Sequence, residues 1–447
     1  MQRTTMSSSA ERQNVSIGGP ITRGLPGRLD TSLASRLLHY RGMPGYEAAR
    51  KIILEHVAVL PSETVPVLSA VNRVLASDVT VPWDMPRWDN SAMDGFAVRS
   101  ADCTGPVRLR VMGYLPAGGL PPGPIRPGEA IRIMTGAPLP PGADAIAPLE
   151  DVQEEGDAIQ LRSAVKPGTH VRRQGEDFRA GEPALRAGTV VGPGEVSLLA
   201  SVSQLAVPVV RRARVAILST GDELVEPGEP IGPGQIYNSN ALAVAAAVLQ
   251  AGGEPINLGI ARDDRPALRA LLEKGLTADA LVTSAGVSMG DRDLVRAVLE
   301  ELSVRQVFWK VDIKPGRPTA FAVRGSTPVF SLPGNPVSTL LTFEQFVRPA
   351  LLRMMGHRHV FRPLLRALLK EGLTKAPGRV NLARVRLSRR DDGVLLASTA
   401  GNQETGILKT LLRADGIAII PAEQGTLEAG QPVSVQVLRP GFDGLEA

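Results

Sequence analysis

The stretch Ser331-Leu332-Pro333-Gly334-Asn335-Pro336-Val337-Ser338 has the residue types of an anion-holding turn. An apolar run, Thr327 to Leu332, precedes it, and a long apolar helix-like segment, Thr339 to Met355, follows. A strand, a tight Pro-Gly-Asn-Pro turn and a helix is the geometry that aims backbone N–H groups at an anion. Prolines on either side of Gly334-Asn335 fix φ, so the loop is stiff before any ligand arrives. Pro333, Gly334, Asn335, Pro336 and Ser338 are therefore candidate binding residues.

Three further loops carry polar chemistry after apolar runs: Thr220-Gly221-Asp222-Glu223-Leu224, Asp263-Asp264, and Ser284-Ala285-Gly286-Val287-Ser288-Met289-Gly290-Asp291-Arg292-Asp293. The Gly286/Gly290 loop, with Ser284 and Ser288, reads as a phosphate cradle opening onto a helix, or as an ordinary connection. Asp264, just ahead of Pro266, is expected to be a helix N-cap. Asp293 could cap in the same way, whereas Glu223 has no evident capping role. Glu223, Asp263 and Asp293 converge if their loops share one rim. Three carboxylates there could hold a hard cation such as Mg²⁺, or could be solvated surface acids. Lys310 and Lys314, four apart on an extended segment, are expected to point to one face. Cations beside a Gly/Ser loop suit phosphate or another tetrahedral oxyanion, and the alternative is an exposed strand face.

The elements that must position these loops follow from periodicity. Between residues 211 and 358, apolar β runs alternate with helical patterns: Val215 to Ser219 then Leu242 to Leu249, Ile256 to Ile260 then Ala267 to Leu272, Ala280 to Thr283 then Val295 to Leu302. Val307 to Ile313 and Thr319 to Val323 read as two further strands before Thr327 to Leu332. Nearly all-apolar strands alternating with helices predict a mostly parallel sheet covered on both faces, a three-layer α/β/α unit. In such a sheet ligands sit beyond the carboxyl ends of the strands, where all four loops lie.

Residues 1–43 lack periodicity and read as a disordered tail. Tyr46, Ala49, Ile52, Ile53, His56 and Val57 fit an amphipathic helix, and the Gly-punctuated 171–210 are expected to return the chain to the domain begun by 44–61. Residues 62–170, with short apolar pieces between Pro/Gly clusters, read as an inserted β-rich domain. Residues 359–447 alternate (Val380 to Leu387, Gly393 to Ala397, Val433 to Val437) and read as a small C-terminal β-barrel or sandwich. The whole is a multidomain α/β plus β fold, as a chain of 447 residues requires.

Composition narrows the function classes. Aromatics make up 4% and the net charge is only +5, which argues against a base-stacking nucleic-acid surface. One cysteine, Cys103, excludes a disulfide framework and a Cys-cluster metal site. No apolar stretch is long enough to span a bilayer and Met1 to Arg12 has no secretory character, so a cytoplasmic protein is expected. The chain has no Gly-x-x-x-x-Gly-Lys-Ser/Thr, His-Glu-x-x-His or Gly-x-Ser-x-Gly motif. A metal role for His357 and His359, on an expected linker, is disfavoured.

Six motifs taken in order carry a resemblance. They are Asp89-Asn90-Ser91-Ala92-Met93-Asp94-Gly95-Phe96-Ala97-Val98, Arg132-Ile133-Met134-Thr135-Gly136-Ala137, Arg172-Arg173-Gln174-Gly175-Glu176-Asp177, Ser219-Thr220-Gly221-Asp222-Glu223-Leu224, Lys314-Pro315-Gly316 and Leu332 to Ser338. Together they resemble the MoeA family of molybdopterin molybdenumtransferases, also seen as the gephyrin E domain, from about residue 44 to the C-terminus. The resemblance implies a homodimer with a shared active site, and four domains, of which 44–61 with 171–210 form a linking domain and the α/β one binds molybdopterin. It implies Mg²⁺-assisted insertion of molybdate, the substrate, into adenylylated molybdopterin supplied by an upstream adenylyltransferase, with loss of AMP.

The resemblance also implies roles. Asp94, Thr135, Glu223, Asp263 and Asp293 match functional positions, with the Asp94 and Thr135 segments reaching the partner subunit's site. Lys310 and Lys314 match basic residues near the anion site, and Pro333 and Pro336 match turn prolines. Arg384 is a candidate molybdate contact, and Thr405 keeps a hydroxyl in a C-terminal loop where Gly401-Asn402-Gln403-Glu404-Thr405 replaces the commoner Gly-His-Gln-Gly-Ser. The third loop departs too: Ala285 stands where the family usually has glycine, a change that matters if φ there is positive. Alternatives are the preceding adenylyltransferase, whose α/β domain is similar, a gephyrin-like scaffold, and a tungsten-specific paralogue. The long N-terminal half and the C-terminal barrel argue against the first. The second needs a fused further domain or a receptor-binding surface.

Overall fold

The computed structural model of the chain describes residues 43–285 and 294–439. The expected tail therefore lies outside the described residues apart from Met43, as do Gly286, Ser288 and Asp293.

The α/β part is numbered on its own here. It runs β1 (Arg214–Thr220), α1 (Ser239–Gln250), β2 (Glu254–Ala261), α2 (Arg265–Gly275), β3 (Ala280–Ser284), α3 (Leu294–Glu301), β4 (Arg305–Phe308), β5 (Ala320–Arg324), β6 (Thr327–Leu332) and α4 (Pro336–Thr342). The sheet order is β2-β1-β3-β6-β5-β4. The first four strands pair in parallel, and β5 and β4 continue antiparallel. Alternation along each strand feeds two apolar layers. Val215 and Ile217 of β1 pack with α1 and with Val337 and Leu341 of α4. Ala216 and Leu218 face the other way, onto Leu268 and Leu272 of α2 and Val298 and Leu299 of α3. This is the expected three-layer arrangement, and it puts the chain reversal point between β1 and β3.

The expected helix Thr339 to Met355 is divided into Pro336–Thr342, a π-helical Phe343–Val347 and Arg348–Met354. Sequence periodicity places the other elements within a few residues, with one exception. Val307 to Ile313 is not one strand. β4 ends at Phe308, and Ile313–Lys314 pairs instead with Val380 and Asn381 of the C-terminal domain. The run Trp309 to Asp312 leaves the sheet because its chain must cross from one domain to the other. Gly316 follows, at φ +101°, where a Cβ would meet the Thr342 methyl at 2.3 Å.

The C-terminal strands Leu364–Leu369, Val380–Arg389, Leu395–Thr399, Gly416–Ile420 and Pro432–Val437 close on themselves, because Val380–Arg389 pairs with both Leu395–Thr399 and Gly416–Ile420. The result is a five-stranded barrel around Leu369, Val385, Ala397, Ala418 and Val435. Closure removes exposed strand edges.

N-terminal to the α/β part, the helix Tyr46–Glu55 buries Tyr46, Ala49 and Ile53, and the Tyr46 hydroxyl donates to Gln345 Oε1 at 2.5 Å. A separate six-stranded sheet spans residues 95–161. Ser62–Pro66 pairs with Ala206–Val210, and Val79–Thr80 with Pro183–Leu185. Residues 62–80 thus share two-stranded sheets with the segment 171–210.

Candidate functional site

A cavity of about 620 Å³ opens at the carboxyl ends of β1, β3 and β6. Glu223 and Leu224, from the loop after β1, form one wall, and Ser284 and Ala285 at the end of β3 form another. Pro333 to Pro336 make the third, and Asn238 to Asn240, opening α1, complete the rim with Lys310. Sequence reasoning identified Glu223, Ser284, Lys310 and the Pro333–Pro336 turn, and the fold brings them together.

The turn is held by side-chain chemistry. Thr339 Oγ1 donates to the carbonyls of Pro333 (2.5 Å) and Asn335 (3.0 Å). Asn335 is the N-cap position of α4, with Pro336 first in the helix. Asn335 Nδ2 donates to Thr405 Oγ1 at 3.1 Å, so the barrel's 401–405 loop touches the cavity wall through that hydroxyl. Ser338, a candidate binding residue, is 3% exposed and is not among the lining residues. It lies in the first turn of α4, where its neighbours Val337 and Thr339 are buried as well.

The carboxylate rim is partly assembled. Asp222, not singled out from sequence, knits two loops: its Oδ1 accepts from the Asp263 N–H at 3.1 Å, and its carbonyl accepts from Arg262 at 2.7 Å. Glu223 therefore stands beside the loop that carries Asp263. Asp264 caps α2 as expected, accepting from the Ala267 N–H at 3.0 Å. Among the described residues no group of three or more His, Cys, Asp or Glu is gathered closely enough for a metal, and the third expected ligand, Asp293, lies outside them. The donors present, hard carboxylate oxygens on neighbouring loops, are of the class Mg²⁺ takes.

The two lysines do not share a face. Lys310 lines the main cavity, whereas Lys314 lines a separate one of about 230 Å³ with Lys375, Arg379 and Asn381. The expectation failed because it assumed an unbroken strand between them, and the chain leaves the sheet at Trp309. Lys375 is tethered there, its ammonium donating to the carbonyls of Pro421 and Gln424 at 2.7 and 2.6 Å.

Arg384 lies on the barrel strand Val380–Arg389. It is 1% exposed, and burial lowers its guanidinium pKa. Its nitrogens donate to Thr410 Oγ1 (3.0 Å) and the Glu404 carbonyl (3.2 Å), so within this chain it braces the 402–404 loop. It does not line the cavity.

Asp94 and Thr135 sit on the separate six-stranded sheet, at the ends of strands Gly95–Val98 and Glu129–Ile133, which pair antiparallel. Neither lines the cavity of its own chain. Thr135 is exposed, and its backbone N–H and hydroxyl both donate to Asp94 Oδ1. Those bonds, the N–H first, hold the Asp94 carboxyl below the usual range.

Sequence reasoning missed the Asn238-Ser239-Asn240 corner. The signal was available: an Asn-Ser-Asn run immediately before a charge-free apolar helix is an N-cap signature. Asn238 caps α1 and accepts from Ser219 Oγ at 2.8 Å, which ties the cap to β1.

Ala285 has φ +71°, in the region that favours glycine. Its methyl packs on the Gly334 turn, where a Cβ would come within 3.3 Å.

Comparison with known proteins follows the same geography. Residues 45–203 match the MoeA N-terminal region (domain I and II), 216–353 a probable molybdopterin binding domain, and 366–438 the MoeA C-terminal region (domain IV). Molybdopterin molybdenumtransferase 2 of Mycobacterium tuberculosis is 37% identical over 404 residues, 88% of this chain and 99% of that protein. The molybdopterin molybdenumtransferase of Synechococcus elongatus is 39% identical over 406 residues, with the same shares. Among solved structures, a molybdopterin biosynthesis MoeA protein from Pyrococcus horikoshii superposes with a TM-score of 0.76 at 30% identity, covering 89% of this chain and 100% of that one. With three family models matched in order and relatives aligned almost end to end, the chain belongs to the MoeA family of molybdopterin molybdenumtransferases.

Proposed function

We propose that this enzyme takes molybdate and adenylylated molybdopterin and returns molybdenum cofactor and AMP. The observation that carries the reading is the cavity at the β1/β3/β6 ends, where Lys310, a buried Ser284 and the rigid Pro333–Pro336 turn face a carboxylate wall at Glu223. Anionic oxygens need the cation and the donors, and helix α4 adds the positive end of its dipole. Glu223 and Asp263, with Asp293, are the residues that would hold Mg²⁺. When bound, the ion would neutralise phosphate and oxyanion charge as a Lewis acid. The chain's own groups do the rest: Ser284 donates to an oxyanion, Lys310 screens charge, and the stiff turn fixes the substrate's position before reaction.

In this reading the protein is a cytoplasmic homodimer supplied by an upstream adenylyltransferase, and the Asp94–Thr135 pair of each subunit completes the partner's cavity. The exposure of Thr135 and the absence of both residues from the cavity of their own chain support that. Among the described residues no helix is long and apolar enough to cross a membrane.

Reconstitution tests the function. Purified protein given adenylylated molybdopterin, Mg²⁺ and molybdate should activate a cofactor-free molybdoenzyme, and failure of the folded protein to do so would refute it. The shared site has its own test: Asp94→Ala and Glu223→Ala variants, each inactive, should regain up to about a quarter of wild-type activity when subunits are exchanged by mixing, because only the mixed dimer holds one intact site.

A further inference from the structure

The Asn240 side chain makes two donations from one amide nitrogen. Asn240 Nδ2 donates to Ser284 Oγ at 2.9 Å and to the Gly334 carbonyl at 2.7 Å. These acceptors belong to two different walls of the main cavity, the end of β3 and the turn after β6. The Oδ1 atom is buried and has no partner. A buried acceptor without a donor is unfavourable, so this amide is held in an arrangement that its own hydrogen bonding does not favour. Turning it over would set Oδ1 against the Gly334 carbonyl, oxygen to oxygen, which fixes the orientation.

Two electrostatic consequences follow for an anion in the cavity. Ser284 is 2% exposed and its Oγ already accepts from Asn240, so its own proton is left to donate. The Gly334 carbonyl, whose negative end would repel an anion at the turn, is occupied by the amide instead.

We propose that Asn240 is a positioning residue of the molybdenum-insertion site, which makes Ser284 a donor toward a bound oxyanion and ties the Gly334 carbonyl away from it. The inference rests on the function proposed above. Asn240→Asp is the sharpest variant, since it keeps the shape and replaces the donor with acceptors. The Ser284 proton then turns to the carboxylate, and the Gly334 carbonyl is repelled.

The test uses full-length protein with AMP and, separately, inorganic phosphate as calorimetric probes. Asn240→Ala should weaken AMP binding about tenfold, and Asn240→Asp more. In a Ser284→Ala background, Asn240→Ala should cost clearly less than it does alone, because part of its action runs through Ser284. Backbone amide exchange at residues 334 and 335 should quicken in Asn240→Ala without any ligand. Wild type that binds AMP while Asn240→Ala binds it equally well overturns the inference alone, and so do fully additive effects of the two substitutions. Wild type that binds neither probe overturns the function on which the inference rests.

Discussion

Asp94 and Thr135 are joined through a single oxygen: Asp94 Oδ1 accepts the Thr135 backbone N–H and the Thr135 hydroxyl, each at 2.7 Å. The two residues are 41 positions apart, yet strand pairing of Gly95 with Ile133 sets them side by side. The carboxylate cannot leave this position without abandoning both donors. A group held this way keeps one orientation.

The same bonds give a pH signature. They stabilise the charged form, so the Asp94 pKa lies below its unfolded value. A depressed carboxylate favours the folded chain above the unfolded pKa, and loses that contribution as pH falls through the folded one. Thr135→Val keeps the backbone bond and removes the hydroxyl. Carboxyl-carbon NMR titration should show the Asp94 midpoint rising in this variant, because one of the two donors that stabilise the charged form is gone. An unmoved midpoint would contradict the assignment.

Lys310 and Lys314 should separate functionally, because they line different cavities. Lys310→Ala is expected to weaken AMP binding by about tenfold, the loss of one partly screened charge contact of about 1.4 kcal/mol. Lys314→Ala should leave AMP binding within about twofold. Equal losses in calorimetry would show that both lysines reach the same ligand.

Ala285 offers a stability test. A non-glycine residue at φ +71° carries strain of order 1 kcal/mol. Ala285→Gly releases it, and the larger unfolded-state entropy of glycine offsets part of the gain. Urea unfolding should find the variant equal to wild type or more stable by up to about 1 kcal/mol. A loss above about 1 kcal/mol would mean that the methyl contact with the Gly334 turn outweighs the strain.

The sheet and its loops were legible in sequence because their physics is local. β6, Thr327–Leu332, matches its apolar run residue for residue, and Asp264 announced itself as a cap through Pro266. The turn prolines, Glu223 and Ser284 could be placed because a parallel sheet gathers its carboxyl ends. What was not legible depended on long-range placement. Lys310 and Lys314 were given one face from spacing, and only the crossing of the chain into the barrel separates them. Arg384 was a candidate molybdate contact only through the resemblance, and its bracing of two carbonyls and a threonine depends on contacts that the sequence does not show. Asn240 was missed because its meaning lies in acceptors 44 and 94 residues away.

Arg384 yields the fourth prediction. Arg384→Met leaves the Glu404 carbonyl and Thr410 hydroxyl without their donor, and should destabilise the protein by about 2–4 kcal/mol. Arg384→Lys should recover little, since one ammonium cannot reproduce the forked donation. Thermal unfolding checks both, and full rescue by lysine would contradict a bracing role.

The most direct measurement of the central claim is AMP release from adenylylated molybdopterin with Mg²⁺, with and without molybdate, for wild type and Glu223→Ala. The account predicts molybdate-dependent release by wild type and its loss, by at least about a hundredfold, in a Glu223→Ala protein that remains folded. Release that ignores molybdate, or that survives Glu223→Ala undiminished, would contradict molybdenum insertion at the Glu223 wall of this cavity.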